Sequence, residues 1–453
     1  MHEDANSPVR PSAPRKAPLV RLALGVVATA AGAAMFAVAF RWTLSFALRH
    51  LFHAPNVVAA MEALPLWARV LVPAAGGLCS GLVSLLVTRG AQGHGVGDVM
   101  EAVVLGRVHL SMRATLVKSV ASWLAIVGGG SIGREGPLIR FGGAWGEAVS
   151  RPLGLETEKA QLIACGTAAG FAAAYNTPFA AVLFVIEIVM GVIVPTMIVP
   201  VVIATAISVG VTRALIGEGP LYGQRAFHLA SPIELVAFAA LGLVAALGSH
   251  AFTQLLAFGE RVFARSWLRL PWRPALGGLV AGLFVCVLPS VAGNGYEPLN
   301  ALLDGNAALG LVGFLLVGKA FATTASVSAG SPGGVFTPVL LVGGCVGLAF
   351  AAVLGRIVPL GAAGGYALVG MAATTAATTH APLMAAVMIF ELSGDYAIAL
   401  PLMVATAVAT LLSRVLREDS IYTAELRRKG IAWEMTMEGR RRTEPKTVSS
   451  RAP

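Results

Sequence analysis

Charge is what this chain has least of. Asp, Glu, Lys and Arg make up 12% of its 453 residues, against about 25% in soluble domains. A water-facing surface cannot be built from so few charges, which excludes an ordinary soluble fold. Cysteine is scarce as well. The four, Cys79, Cys165, Cys286 and Cys345, stand alone in apolar runs with no CxxC pair, so neither a zinc site nor a disulfide framework is expected. The chain has no His-Glu-x-x-His and no Gly-x-Ser-x-Gly. A membrane-embedded hydrolase would need such a nucleophile or metal pair, so no enzyme is expected. Clustered carboxylates or thiols of the kind that carry metal ions are missing too. No cofactor or metal is expected beyond a bound ion.

Apolar sequence is what abounds, at 56% of the chain. A helix needs roughly 20 apolar residues to span a bilayer. Stretches at 22–40, 68–87, 160–174, 180–212, 233–247, 274–288, 309–319, 339–354, 366–378 and 383–412 reach or approach that length. Several are short and broken by Gly or Pro, which is tolerated at membrane depth only where the piece is buried or lines a cavity. The expectation is an all-α polytopic membrane protein. The run at 22–40 exceeds a usual signal-peptide core and is read as a retained helix. Basic residues crowd both ends, from Arg10 to Arg21 and from Arg427 to Arg442. Positive flanks stay cytoplasmic, so both termini are expected there. The charge of +10 is read as this topology signal, with no nucleic-acid partner.

The chain divides into a polar N-terminal tail at 1–18, expected to be mobile and cytoplasmic, and a first hydrophobic block at 19–217. A connecting loop at 218–231 leads to a second block at 232–417. A charged cytoplasmic segment at 418–453 is too short for an added regulatory domain. The two blocks repeat each other at a shift of 201 residues. Lys118 and Pro137 recur as Lys319 and Pro338, and Gly142-Gly143 as Gly343-Gly344. Pro200 and Arg213 recur as Pro401 and Arg414. Gly166, Pro178 and Glu187 have the same mutual spacing as Gly370, Pro382 and Glu391. Two inverted halves with broken helices meeting near the midplane are a common plan for such repeats.

Within the first block, Gly133-Arg134-Glu135-Gly136-Pro137 sets a carboxylate in a glycine-rich break before an apolar run. Pro137 suits a first helical turn, and glycines let N–H groups approach an anion closely. Helix N-termini favour negative charge. Read alone, Glu135 is either a helix cap or a tethered occupant of an anion site. Its repeat mate, Gly334-Val335-Phe336-Thr337-Pro338, is a second glycine-rich break with Phe336 in the carboxylate's place. Under the inverted plan, two helix N-termini would face one ion from opposite halves.

These two motifs, with Ile421-Tyr422 after the last helix, resemble the CLC family of chloride channels and chloride/proton antiporters from about residue 20 to 430. The resemblance implies a homodimer in the cell membrane, each subunit holding its own chloride pore between two inverted halves. It implies that Glu135 is the gate. The anion would be held by backbone around Gly133, Arg134, Gly136, Gly334, Val335 and Phe336, and by the Tyr422 hydroxyl. A third motif matches Gly93-His94-Gly95-Val96-Gly97, with Gly93, His94 and Gly95 at the anion and with His94 and Gly97 departing from the usual Ser and Pro. His94 could equally be a packed or capping histidine. Tyr422 could equally be an interfacial aromatic. The family's antiporters carry a second glutamate where this chain has Ile188. That departure tilts the expectation toward a voltage- or pH-gated chloride channel or a weakly proton-coupled transporter. A tightly coupled chloride/proton antiporter and a fluoride exporter are the alternatives. Arg134, Glu187 and Glu391 are expected to be structural, and Lys118 and Lys319 to snorkel from helix ends.

Overall fold

The computed structural model describes residues 16–86, 95–106, 108–217, 222–223, 227, 229, 231–304, 308–428, 430–436 and 439–443. The tail before residue 16, most of the 218–231 connection, Gly93 and His94 lie outside the described residues. The first block comprises α1 (Lys16–Leu51), α2 (Val57–Ala63), α3 (Leu66–Ser84), α4 (Val96–Leu105) and α5 (Met112–Val127). It continues with α6 (Glu135–Ser150), α7 (Lys159–Tyr175), α8 (Pro178–Leu183) and α9 (Pro195–Ile216). The second comprises α10 (Glu234–Arg265), α11 (Trp272–Val287), α12 (Tyr296–Leu303) and α13 (Leu309–Ser328). After these come α14 (Phe336–Leu354), α15 (Ala363–Thr379), α16 (Pro382–Ser393) and α17 (Ala399–Leu416). A short α18 (Ile421–Arg428) follows, then an antiparallel hairpin of β1 (Ala432–Thr436) and β2 (Gly439–Thr443). The body is all-α as expected, with that hairpin an addition in the C-terminal segment. Among the described residues seven helical segments are long and apolar enough to cross a membrane.

The repeat is visible as matched packing. α6 packs on α7 as α14 packs on α15, and α1 on α9 as α10 on α17. α7 and α15 are rich in Ala, Gly and Thr and are buried on every side. Small residues let helix backbones approach closely, and Gly142 against Gly166 and Gly343 against Gly370 mark those approaches. α7 ends at Asn176 and α15 at His380, both left-handed, with φ of 60° and 59°. A left-handed residue ends a helix, and the prolines opening α8 and α16 start the next one.

The halves also touch each other reciprocally. α3 lies against α11, where Gly77 faces the Pro274 carbonyl and Gly278 faces the Pro73 carbonyl. Gly133 and Gly334 exchange both backbone hydrogen bonds, at 2.7 and 2.9 Å. Equivalent residues that pair with each other lie on a local two-fold axis.

Two expectations change. The runs at 180–212 and 383–412 are not continuous helices. The α8 run passes through a π-helical turn at Phe184–Met190 and ends at left-handed Gly191, and α16 ends at left-handed Gly394. Lys118 and Lys319 do not snorkel. Lys319 is fully buried, and its Nζ donates to the Val291 and Gly293 carbonyls at 3.0 and 2.7 Å. Lys118 is buried beside Asp98 at 3.7 Å. Each sits near the middle of its helix, so the apolar stem never reaches an edge.

Candidate anion site

The Gly133–Gly334 exchange brings the N-termini of α6 and α14 together. Arg134 is the N-cap of α6 and Val335 the N-cap of α14. Ser131 pins the first loop to α13, with its Oγ 3.0 Å from Thr323 Oγ1 and its N–H donating to Ser326 Oγ at 3.3 Å.

Glu135 reaches across this junction into the other half. Its Oε1 accepts from the Phe336 N–H at 2.8 Å and the Thr337 N–H at 3.3 Å, and Oε2 accepts from the Thr337 hydroxyl at 3.1 Å. The side chain is 2% exposed. A carboxylate therefore sits on the free N–H groups of the first turn of α14, where a bound anion would find its donors. A Cβ on Gly133 or Gly334 would run into that carboxylate. Both glycines are needed for the approach.

Aromatic residues close the site. Phe336 stands edge-on to Phe171 and packs on Tyr175. Tyr175 Oη lies 2.8 Å from Thr337 Oγ1. Tyr422 is buried on α18, within electrostatic reach of Glu135. Gly136 is buried in the first turn of α6. Gly95 is the N-cap of α4, with φ of 89°, and is buried. On α4, Asp98 is held by Arg140 and Lys118. Arg134 lines a cavity of about 90 Å³ shared with Asn294, Tyr296, Glu297 and Asn56.

Glu187 and Glu391 have a geometry that their spacing did not reveal. Glu187 accepts from the Leu383 and Met384 N–H groups at 3.3 and 2.7 Å, so it caps α16. Glu391 accepts from the Phe179 and Ala180 N–H groups at 3.0 and 2.8 Å, so it caps α8. Each half caps a helix of the other. Ile188, beside Glu187, is buried. Thr337 and Tyr175 were missed as site residues. Thr337 could have been found from its place between Phe336 and Pro338. Tyr175 carries no local signal, since it is one aromatic at the end of an alanine-rich run.

The chain is similar to known proteins over most of its length. Residues 76–414 match the family model described as voltage gated chloride channel. The chain is 38% identical over 382 residues to a putative chloride channel protein ClcB-like of Ralstonia nicotianae, covering 82% of this chain and 89% of that protein. It is 37% identical over 380 residues to the voltage-gated ClC-type chloride channel ClcB of Salmonella typhimurium, covering 81% and 89%. Its fold is similar to that of a slow cyanobacterial Cl-/H+ antiporter, with a TM-score of 0.79, 22% identity and coverage of 90% of this chain and 98% of that one. It is also similar to a CLC-type fluoride/proton antiporter, with a TM-score of 0.72, 22% identity and coverage of 90% and 96%.

Proposed function

The chain belongs to the voltage-gated chloride channel family, and from that premise we propose that it carries chloride across the cell membrane under the control of Glu135. The observation that carries this reading is the Glu135 carboxylate on the Phe336 and Thr337 N–H groups. Ionised, it holds the place of the anion at the tip of α14 and blocks the path. Protonated, it loses its charge-assisted bonds, and a chloride takes over the donors. A neighbouring anion favours the neutral form of a carboxylate, so chloride and proton occupancy rise together.

The anion's contacts are the backbone of Gly133, Arg134 and Gly136 on one side and of Gly334, Val335 and Phe336 on the other, with Gly95 and the Tyr422 hydroxyl completing the path. Chloride is the bound species and no cofactor takes part. Ile188 cannot carry a proton, which favours a gated channel or weak proton coupling over tight exchange. Both termini face the cytoplasm. The protein works as a homodimer in which each subunit has its own pore. The exposed Val199, Ile203, Leu400 and Leu411 of α9 and α17 suit a second copy.

Reconstitution into liposomes with a chloride gradient tests this, with chloride and external pH followed together. Chloride flux that rises as pH falls is expected, and Glu135→Gln should keep flux at its acid level at every pH. Unchanged pH dependence in that variant overturns the gate. Uphill proton movement would establish exchange instead. Fluoride carried in preference to chloride would establish an exporter.

A further inference from the structure

An arginine inside a membrane span is costly, and it persists where it faces a protein interior or a water-filled cavity with a partner for its charge. Arg41 is such a residue. It lies in the apolar stretch of α1 and is half-buried. Its electrostatic neighbours are Arg134, a second cation, and Tyr296. Among the described residues, no hydrogen bond or ion pair engages the guanidinium of Arg41 or of Arg134. Leu44, Ser45 and Leu48 follow Arg41 on the same face of α1. All three line the cavity of about 90 Å³ that Arg134 borders, so both arginines belong to one space.

The rest of the lining supplies hydrogen-bond donors. Asn56 uses its side-chain oxygen to accept from the Ala59 N–H at 2.8 Å. Asn294 uses its own to accept from the Tyr296 N–H at 3.3 Å. The amide N–H groups of both are left as donors. α12 opens on the cavity with Tyr296 and Glu297 in its first turn, and a helix start favours negative charge. Lys319 fixes the loop that carries Asn294, through the Val291 and Gly293 carbonyls, and lies within electrostatic reach of Glu297 and Glu135. Glu297 is the one carboxylate residue in the lining, and among the described residues it forms no ion pair with Arg134.

We propose that this cavity is a second anion site, separate from the tip of α14, for a small planar monovalent oxyanion of the carboxylate, bicarbonate or nitrate type. The guanidinium fork of Arg134 matches two oxygens of such an ion. Arg41 supplies the second positive charge, and the amides of Asn56 and Asn294 take the remaining lone pairs. The space holds more than one halide, since a water needs about 10–15 Å³ of such volume. Glu297 sets the charge limit. Arg41, Arg134 and Lys319 outnumber Glu297 and Glu135 by one formal charge, which suits a monovalent ion and disfavours sulfate. Arg134 immediately precedes Glu135, so the oxyanion sits beside the gate, but its binding does not depend on the gate.

Isothermal titration calorimetry of purified protein in detergent tests this, with formate, nitrate and sulfate as probes in buffer saturating in chloride. Formate and nitrate are expected to bind wild type, and sulfate is not. Arg41→Gln should weaken formate binding by about tenfold or more, the equivalent of one charge-assisted hydrogen bond. Glu297→Gln should strengthen formate binding and admit sulfate. Opposite changes in two variants at one cavity are not produced by a loss of packing. Wild-type protein that binds neither formate nor nitrate overturns the proposal. So does an Arg41→Gln protein with the wild-type thermal midpoint that binds formate as wild type does. Should Arg41→Gln fail to fold, Glu297→Gln decides: formate and sulfate behaviour equal to wild type overturns the proposal. Glu135→Gln should keep formate binding, whatever it does to the pH dependence of chloride flux, so the two readings fail independently. Loss of formate binding in Glu135→Gln would return the oxyanion to α14 and overturn the second site.

Discussion

A carboxylate surrounded by hydrocarbon costs about 2.5–3.5 kcal/mol on insertion scales, and a hydrogen bond to a charged group is worth about 1.5–3 kcal/mol. Glu135 receives three such bonds from Phe336 and Thr337, which accounts for a charge held at 2% exposure. The bonds come from the half of the protein that lacks the carboxylate, so on the proposed reading a change that moves the side chain off α14 should unblock the path without touching the donors. Gly334→Ala is such a change, because its methyl would collide with the Glu135 carboxyl group. We expect chloride efflux from Gly334→Ala liposomes at neutral pH to exceed wild type by about tenfold, the equivalent of losing one bond of about 1.4 kcal/mol. The pH dependence should flatten with it. Efflux equal to wild type at neutral pH would show that the ionised side chain is not the obstacle. The acid limb has a definite sign under the proposed gate: protonation weakens the bonds to α14, so wild-type flux is expected to grow as pH falls.

At the level of elements, Glu187 and Glu391 act as staples. Each carboxylate caps the N-terminal turn of the other half's short helix, and loss of a capping side chain costs about 0.5–2 kcal/mol. Glu187→Ala and Glu391→Ala should each lower the thermal midpoint in detergent while leaving the pH profile of chloride flux in place. A Glu187→Ala protein with wild-type stability and an altered pH profile would instead make Glu187 a proton carrier. These caps show what the sequence could and could not convey. The matched Pro-to-Glu spacings identified corresponding positions in the two halves. They carried no sign that the glutamates are exchanged, because a cap contributed by another segment leaves no local pattern. The glycine-rich breaks at Gly133 and Gly334 were legible because a close backbone approach demands glycine in any context. Lys319 was misread for the opposite reason: its partners, the Val291 and Gly293 carbonyls, are backbone atoms, and no residue type announces them. The break at Gly191 was hidden by apolar residues on both sides, whereas Gly394 lies between Ser393 and Asp395, which is a turn signal.

The whole molecule depends on its two-fold relation, since Glu135 finds its donors only if the halves meet in one register. Beside the exchanged Glu187 and Glu391 caps, the Gly133–Gly334 exchange and the α3–α11 crossing help to hold that register. There Gly77 lies against the Pro274 carbonyl and Gly278 against the Pro73 carbonyl at equivalent places. A methyl at either glycine would push the same pair of helices apart. Overpacking of this kind typically costs about 1–3 kcal/mol, and residues sharing one contact do not add. Gly77→Ala and Gly278→Ala should therefore each destabilise the protein, and the double variant should lose less than the sum of the two, because the first methyl has already opened the crossing. The readout is the thermal midpoint of purified protein, together with pH dependence of chloride flux in liposomes. The pH dependence should weaken alongside stability, since a shift between the halves draws the α14 donors away from Glu135. Strict additivity, or full pH control in a destabilised double variant, would mean that the α3–α11 crossing does not set the register in which Glu135 meets α14.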